Sequence, residues 1–143
     1  MEIFDVGMIN NAKILIKESC LKPPYSFAFC PGFFGGLPAE PDVMLFLKNI
    51  LPAESIWGVN HINSQDLSFI LTCLGMGASL IRVGFEDGIF YKPGHAAKTN
   101  SELVERLVKI VKEIGYEIAN PTEAREIIGI HPKYYYSELY KNL

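Results

Sequence analysis

The chain has 143 residues, enough for one domain with an ordinary buried core. Hydrophobic residues make up 49% and charged residues 20%, proportions that exclude an intrinsically disordered chain. The net charge of −3 lacks the basic excess of nucleic-acid-binding proteins, so we expect no nucleic-acid partner.

The sequence also argues against membrane insertion and secretion. The longest uncharged stretches are residues 23–39 and 67–81, and neither reaches the roughly 18–20 apolar residues that cross a bilayer. Acidic Glu2 and Asp5 stand where a secretory signal carries basic residues. Three cysteines at unrelated spacings favour a reducing compartment. We therefore expect a cytoplasmic protein without a membrane partner.

Strand-like and helix-like segments alternate along the chain. Runs of β-prone residues bounded by proline, glycine or polar turns predict strands at residues 2–6, 25–30, 55–62 and 79–85. Apolar residues at helical spacing predict helices at residues 8–19, 41–49, 63–74, 101–114 and from 121 to a stop at Gly129. Four strand–helix units in this order predict an α/β fold with a parallel sheet.

Several helix ends carry recognisable signals. Asn63 or Ser64 is the expected cap of the third helix, and Asn120 of the last. Thr99 with Glu102 forms a capping-box pattern before the long helix. On that helix, Glu102–Arg106 and Glu105–Lys109 are spaced as i,i+4 ion pairs.

Two architectures fit four strand–helix units. One is a complete flavodoxin-like sheet, and the other is half of an eight-stranded (β/α) barrel. The immediate start at the first strand favours the half barrel. We expect this unit to span residues 1–130, followed by a Tyr-rich extension at residues 131–143 that either packs on the domain or forms an interface.

Chemically useful side chains follow the fourth predicted strand. In parallel α/β folds, functional groups collect at the carboxyl ends of strands. Arg82, Glu86 and Asp87, flanked by glycines, could supply an anion clamp, a metal ligand and a base. The alternative is a surface turn whose charges pair with each other and with solvent.

Two other segments are weaker candidates. The Gly35-Gly36 pair lets the backbone approach a ligand closely, but a flexible turn is the more common use of such a pair. His61 could be a ligand or a base, although a lone histidine is more often a hydrogen-bonded structural residue. The cysteines have no paired histidine motif, so we interpret them as small core residues.

A set of landmark segments follows the order found in one known family. These segments are EIFDVGM at 2–8, LKPP at 21–24, GGLPA at 35–39 with Pro41, VGFED at 83–87, Asn100 with LVER at 103–106, and ANPTEAREIIG at 119–129. On these landmarks, the chain resembles the C-terminal half of the β-keto acid cleavage enzymes (the 3-keto-5-aminohexanoate cleavage enzyme type). The resemblance covers about residues 2–130.

The resemblance implies the C-terminal half of a (β/α)8 TIM barrel, with strands five to eight supplied by this chain. Members are oligomeric, and they convert a β-keto acid and acetyl-CoA into acetoacetate and a new acyl-CoA by a retro-Claisen-type exchange. A divalent metal, usually Zn²⁺, polarises the keto oxygen, and its family ligands are a His-x-His pair and a glutamate.

Residue by residue, the family glutamate matches Glu86. The family arginine and aspartate, which orient and activate the nucleophile with a water, match Arg82 and Asp87. Glu2 lies near the position of another family glutamate and, with Gly35 and Gly36, is a candidate for substrate binding.

This sequence also departs from the family pattern. The His-x-His pair has no counterpart here, and residues 61–63 (His-Ile-Asn) replace a smaller Gly-Ile-Gly stretch, which would narrow the acyl-CoA entrance. Three hypotheses follow. An N-terminal half supplies the histidines and completes an enzyme, or two copies pair into a non-catalytic barrel-like dimer, or the chain is an inactive gene-fragment product.

Overall fold

A computed structural model describes residues 1–130, and the predicted Tyr-rich extension at 131–143 lies outside the described residues. The strands are β1 (Glu2–Ile3), β2 (Tyr25–Phe29), β3 (Ser55–Asn60), β4 (Leu80–Arg82), β5 (Phe90–Lys92) and β6 (His95–Ala96). The helices are α1 (Val6–Lys17), α2 (Pro41–Asn49), α3 (Ser68–Gly75), α4 (Asn100–Glu113) and α5 (Pro121–Ile127). No helix within this part of the chain is long and apolar enough to cross a membrane.

The first four strands form one parallel sheet in the order β1-β2-β3-β4. In a flavodoxin-like sheet the strand order reverses direction, with the second strand outside the first. The sequential order observed here excludes that arrangement. The predicted α/β class with a parallel sheet is confirmed, and the topology is compatible with half of a (β/α)8 barrel.

All four large helices contribute to one core on one face of the sheet. Side chains alternate between the two faces of a strand, and on each of the first three strands one alternate set of apolar residues faces this core. The strand residues of the core are Ile3, Phe27, Phe29, Trp57 and Val59. They share one cluster with helix residues Ile9, Ala12, Met44, Leu47, Ile70, Cys73, Leu74, Leu107 and Val111.

The opposite face of the sheet carries the alternate residues and is called the open face below. Its residues are Glu2, Ser26, Ala28, Ile56, Gly58, Asn60, Leu80 and Arg82. None of them belongs to the core cluster, and Leu80 is 38% exposed. Parallel sheets are ordinarily covered on both faces, so one-sided packing is the unusual feature of this fold.

Two predicted element boundaries are wrong because of local hydrogen bonding. The first strand ends before Asp5, whose Oδ1 accepts a hydrogen bond from the Gly7 amide at 2.7 Å and caps α1. Neither Asn63 nor Ser64 caps α3. Asn63 has a positive φ of 59°, and Asp66 Oδ1 instead accepts from the Ser68 amide at 2.8 Å.

The fourth strand is also shorter than predicted. The chain turns at Gly84, whose carbonyl accepts hydrogen bonds from the amides of Asp87 and Gly88, both at 2.9 Å. Residues 83–85 therefore lie outside the strand, and β5 and β6 follow as an antiparallel hairpin that the sequence patterns did not predict.

The Asn120 cap is confirmed, the capping box predicted at Thr99 is only half formed, and the predicted ion pairs on α4 are wrong. Thr99 Oγ1 accepts from the Glu102 amide at 3.3 Å, and Asn120 forms a full capping box with Glu123. The Glu102 carboxylate accepts from the Lys98 amide at 2.6 Å, which directs it away from Arg106. On α4, Lys109 instead pairs with Glu113, at 4.0 Å.

The one-sided core predicts sharply different costs for two neighbouring residues of α2. Met44 is fully buried, so Met44→Ala should lower the free energy of unfolding by about 2–5 kcal/mol. Leu45 is 45% exposed, so Leu45→Ala should cost less than about 1 kcal/mol. Urea unfolding followed by Trp57 fluorescence measures both. Equal losses would contradict the placement of the core.

Candidate functional site at the carboxyl edge of the sheet

Polar groups gather where the parallel strands end. Cys30 follows β2, Asn60 ends β3, and Arg82 ends β4 directly opposite Asn60. Because parallel strands all end at the same edge, these side chains lie in one row, which is the usual place for functional groups in such folds. The edge therefore brings a thiol, an amide and a guanidinium together.

Arg82 and Asp87 form the central ion pair of this edge. Arg82 Nε lies 2.9 Å from Asp87 Oδ2, and Nη2 lies 2.7 Å from Oδ1, so both carboxylate oxygens accept hydrogen bonds. Asp87 is only 4% exposed. The hydrogen bond to Asp87 raises the pKa of Arg82 above its ordinary value, and the guanidinium stays charged. Bidentate pairing fixes the orientation of the carboxylate.

Two further carboxylates face the same guanidinium. Glu2 Oε1 lies 3.5 Å from Arg82 Nη1, and Glu86 Oε1 lies 3.8 Å from Nη2. Glu2 belongs to β1, at the far side of the sheet, and the small residues Ala28 and Gly58 occupy the strands between. One cation thus meets three carboxylates, and the Glu86 side chain remains 80% exposed.

The glycine loop after β2 lies at the same edge. The Leu37 amide donates to the Phe4 carbonyl at 3.0 Å, which ties this loop to the chain that follows β1. A Cβ on Gly36 would lie 3.1 Å from that carbonyl oxygen, whereas Gly35 has a φ of +76° and faces open space. In residues 1–130, no hydrogen bond or ion pair joins Gly35 or Gly36 to the Arg82 cluster.

Two residues of this edge, Cys30 and Asn60, were not predicted as site residues. Asn60 Nδ2 donates to Cys30 Sγ at 3.6 Å, and both residues are buried. Burial raises the pKa of the Cys30 thiol, and the Glu2 carboxylate raises it further. The thiol is therefore protonated at neutral pH and is not a ready nucleophile. The predicted third strand extends to residue 62, so Asn60 did not stand out as the end of a strand, and Cys30 directly follows the observed end of β2.

The interpretation of the cysteines as core residues holds for two of three. Cys30 and Cys73 are buried, and burial raises the pKa of Cys73 to about 11. Cys20 is exposed, so the prediction for it is wrong. Cys20 follows the end of α1 and has no core position to occupy.

His61 packs as an aromatic ring at the end of β3. Its ring centroid lies 4.8 Å from that of Phe69, and its Nδ1 is buried without a hydrogen-bond partner among the described residues. Burial lowers the pKa of His61, although the Asp66 carboxylate opposes the shift. The ring packs on Phe69 as a structural residue would, but within residues 1–130 its Nδ1 lacks the hydrogen bond that the structural interpretation expects.

The donor set of residues 1–130 does not fit a metal centre by itself. No group of three or more His, Cys, Asp and Glu side chains within that range could hold a metal ion. A catalytic zinc site ordinarily takes three protein ligands. Glu86 offers an exposed carboxylate, but its Oε1 has the Arg82 guanidinium, not a second metal ligand, beside it.

Comparison with known proteins points to one family. The family model described as beta-keto acid cleavage enzyme matches residues 1–130. The 3-keto-5-aminohexanoate cleavage enzyme of Acetoanaerobium sticklandii is 39% identical over 129 residues, and that of Fusobacterium nucleatum is 36% identical over 130. The 3-dehydrocarnitine:acetyl-CoA trimethylamine transferase of Rhizobium meliloti is 29% identical over 125 residues.

The matches cover most of this chain and a smaller share of each relative. They include 90%, 91% and 87% of the chain, but 47%, 47% and 41% of the respective relatives. The chain spans about half the length of the curated relatives it matches.

The burial of Asp87, beside the exposed Glu86, predicts a stability difference between these adjacent carboxylates. Asp87→Asn removes the charge that satisfies Arg82 and should lower the free energy of unfolding by about 1–2 kcal/mol. Glu86→Gln changes an exposed side chain and should cost less than about 0.5 kcal/mol. Chemical denaturation of both variants checks this, and a larger loss in Glu86→Gln would reject the assigned geometry.

Proposed function

The chain belongs to the β-keto acid cleavage enzyme family, and we propose that it forms the C-terminal portion of a metal-dependent enzyme of that family. The proposed reaction turns a β-keto acid and acetyl-CoA into acetoacetate and a new acyl-CoA. The acyl group of the keto acid moves to the CoA sulfur, and the acetyl group takes its place on the remaining two-carbon acid. The Rhizobium meliloti relative carries acetyl-CoA in its name, which supports the co-substrate.

The observation that carries the proposal is the bidentate Arg82–Asp87 pair at the carboxyl edge. In the proposed reaction, Asp87 activates the nucleophile by removing its proton through a water molecule. Arg82 fixes the orientation of the Asp87 carboxylate. Arg82 is the last residue of β4, and Asp87 is held by the turn at Gly84. Attachment to a strand end gives the pair the fixed geometry that proton transfer needs.

The fold supports the assignment of the chain to strands five to eight of a barrel. In a (β/α)8 barrel, helices cover the outside of the sheet and the inner face encloses packed side chains. The core lies on one face here, and the open face would be the barrel interior. Glu2, Gly35 and Gly36 lie at the carboxyl edge, where a barrel places its substrate, and we assign them to substrate binding.

An N-terminal half would cover the surfaces that this sheet leaves unpaired. Within the described residues, β1 and β4 are the outer strands of the sheet. Beside β4 lies a groove of about 640 Å³, whose lining includes Leu80, Val104, Val108 and Ile118. A strand added to β4 and an apolar helix in this groove would extend the barrel. The greater length of the relatives supports such a partner.

The metal requirement also points to a second half. Glu86 is the proposed metal ligand from this chain, and the described residues provide no set of three ligands. Under the proposal, the His-x-His pair of the N-terminal half completes the zinc site. This chain then contributes one ligand and the Arg82–Asp87 pair.

A second copy of the chain is the alternative partner. Two half barrels placed face to face would cover both open faces and join each β4 to the other copy's β1. Such a dimer would have no histidine pair from an N-terminal half, so it would be non-catalytic. If the chain forms a homodimer at micromolar concentration, and this dimer does not bind an added N-terminal half, this alternative would be favoured.

The proposal predicts activity only after reconstitution. The chain alone should neither bind zinc at submicromolar concentration nor form acetoacetate. Mixed with, or fused to, an N-terminal half that carries His-x-His, it should do both. Zinc titration and acetoacetate release measure the two properties in parallel. Tight zinc binding or turnover by the isolated chain would contradict the proposal.

Matched variants locate the metal ligand in the reconstituted enzyme. Glu86→Gln should weaken zinc binding at least tenfold, because a neutral amide is a poor substitute for a carboxylate ligand. Glu126→Gln changes an exposed glutamate of α5 and should leave both readouts unchanged. Equal zinc affinity in the two variants would exclude Glu86 as the ligand.

A further inference from the structure

A cationic groove lies between the β5–β6 hairpin and α4, outside the Arg82 cluster. Its volume is about 420 Å³, and Lys92, Lys98, Arg106 and Lys109 line it together with Glu102 and Glu105. The lining thus contains four of the chain's 13 lysines and arginines, but only two of its 16 acidic residues. The groove is therefore locally positive on a chain whose net charge is −3.

The two acidic residues offset part of this charge, and four cationic against two anionic side chains leave the groove with a positive excess. The Glu102 carboxylate accepts a hydrogen bond from the Lys98 backbone amide, so it is engaged in capping α4. Glu105 forms no ion pair with Lys109, which contacts Glu113 at 4.0 Å instead. Lys92 and Lys98 are exposed at the rim. The charges of Lys92 and Lys98 are thus available to an anion.

Arg106 lies over the Tyr91 ring in the wall of the groove. Its guanidinium carbon lies 4.9 Å from the ring centroid of Tyr91, within the range of a cation–π interaction. Its Nη1 is buried and has no hydrogen-bond partner among residues 1–130. A charged donor without a partner is costly, and an anion in the groove would offset that cost.

The groove is connected directly to the site edge. The hairpin lies between β4 and α4, so it belongs to the same connection as the Arg82–Asp87 turn. Asn100 Oδ1 accepts a hydrogen bond from the Phe85 amide at 2.8 Å, which fastens that turn to the first turn of α4. This hydrogen bond holds the start of α4, a helix that lines the groove, against the turn of the site edge, as a ligand that contacts both would require.

We infer that this groove binds the phosphorylated adenosine end of the CoA thioester. The inference rests on the proposed function, which supplies CoA as co-substrate. CoA carries its phosphates at the end opposite its sulfur, so a cationic groove beside the reaction site, and not within it, matches the charge distribution of the ligand. Binding energy from this remote end would hold the thioester in place at the site edge.

The test uses adenosine 3′,5′-bisphosphate, the same end of CoA without its thioester arm. Calorimetry measures the binding of this probe to the 143-residue chain, and the measurement needs neither a metal nor an N-terminal half. The groove should bind this probe more tightly than 5′-AMP, and rising salt should weaken binding because the contacts are charged. The double variant Lys92→Ala/Lys98→Ala should weaken it at least tenfold.

A charge-matched control is the double variant Lys13→Ala/Lys112→Ala, which changes exposed lysines outside the groove. It should bind the probe as the original chain does, and circular dichroism verifies that both variants are folded.

No binding of the probe, or equal weakening in both double variants, would overturn the inference. If the reconstituted enzyme turns over but the probe does not bind, the groove is not the phosphate site, and the proposed reaction stands. Probe binding without turnover would reject the proposed reaction and retain the phosphate site.

Discussion

One-sided packing of the parallel sheet is the constraint on which the rest of the structure depends. The apolar strand residues and all four large helices share one cluster, so the opposite face has no helix over it among the described residues. Burial of apolar area is the main stabilising contribution to folding, and here it comes from one side only. The open face is consequently free to carry Ala28, Gly58 and the charged Glu2 and Arg82. A site can form on this face because it is not required for the helix core.

The charges on this edge have both a structural and a chemical consequence. Arg82 satisfies a buried carboxylate, Asp87, which would otherwise be costly to bury. It also attracts Glu2 and Glu86 toward the same point, so negative charge is in excess around one guanidinium. An excess of carboxylate oxygens is suited to a hard or borderline cation, yet residues 1–130 hold no group of the three ligands that a zinc site ordinarily takes. Under the proposed function, this edge is therefore one part of a metal site that a second half completes.

Much of the architecture could be predicted from local patterns, because it depends on local physics. Pro41 predicted the start of α2 and Asn120 predicted the cap of α5, since both signals act within one turn. Arg82, Glu86 and Asp87 were found as a group because they are close in sequence. The contact between Glu2 and Arg82 could not be predicted from patterns, because it crosses two strands. The β5–β6 hairpin was missed because its strands have only three and two residues, too few to show alternation.

The most direct test of the half-barrel assignment is amide hydrogen exchange at the two outer strands. Exchange would be followed by mass spectrometry for the chain alone and for the chain mixed with a His-x-His N-terminal half. Addition of strands to both edges predicts slower exchange in β1 and β4, with β2 and β3 little changed because they are already paired. Unchanged exchange in β1 and β4 on mixing would contradict the assignment, because no strand would then have joined either edge.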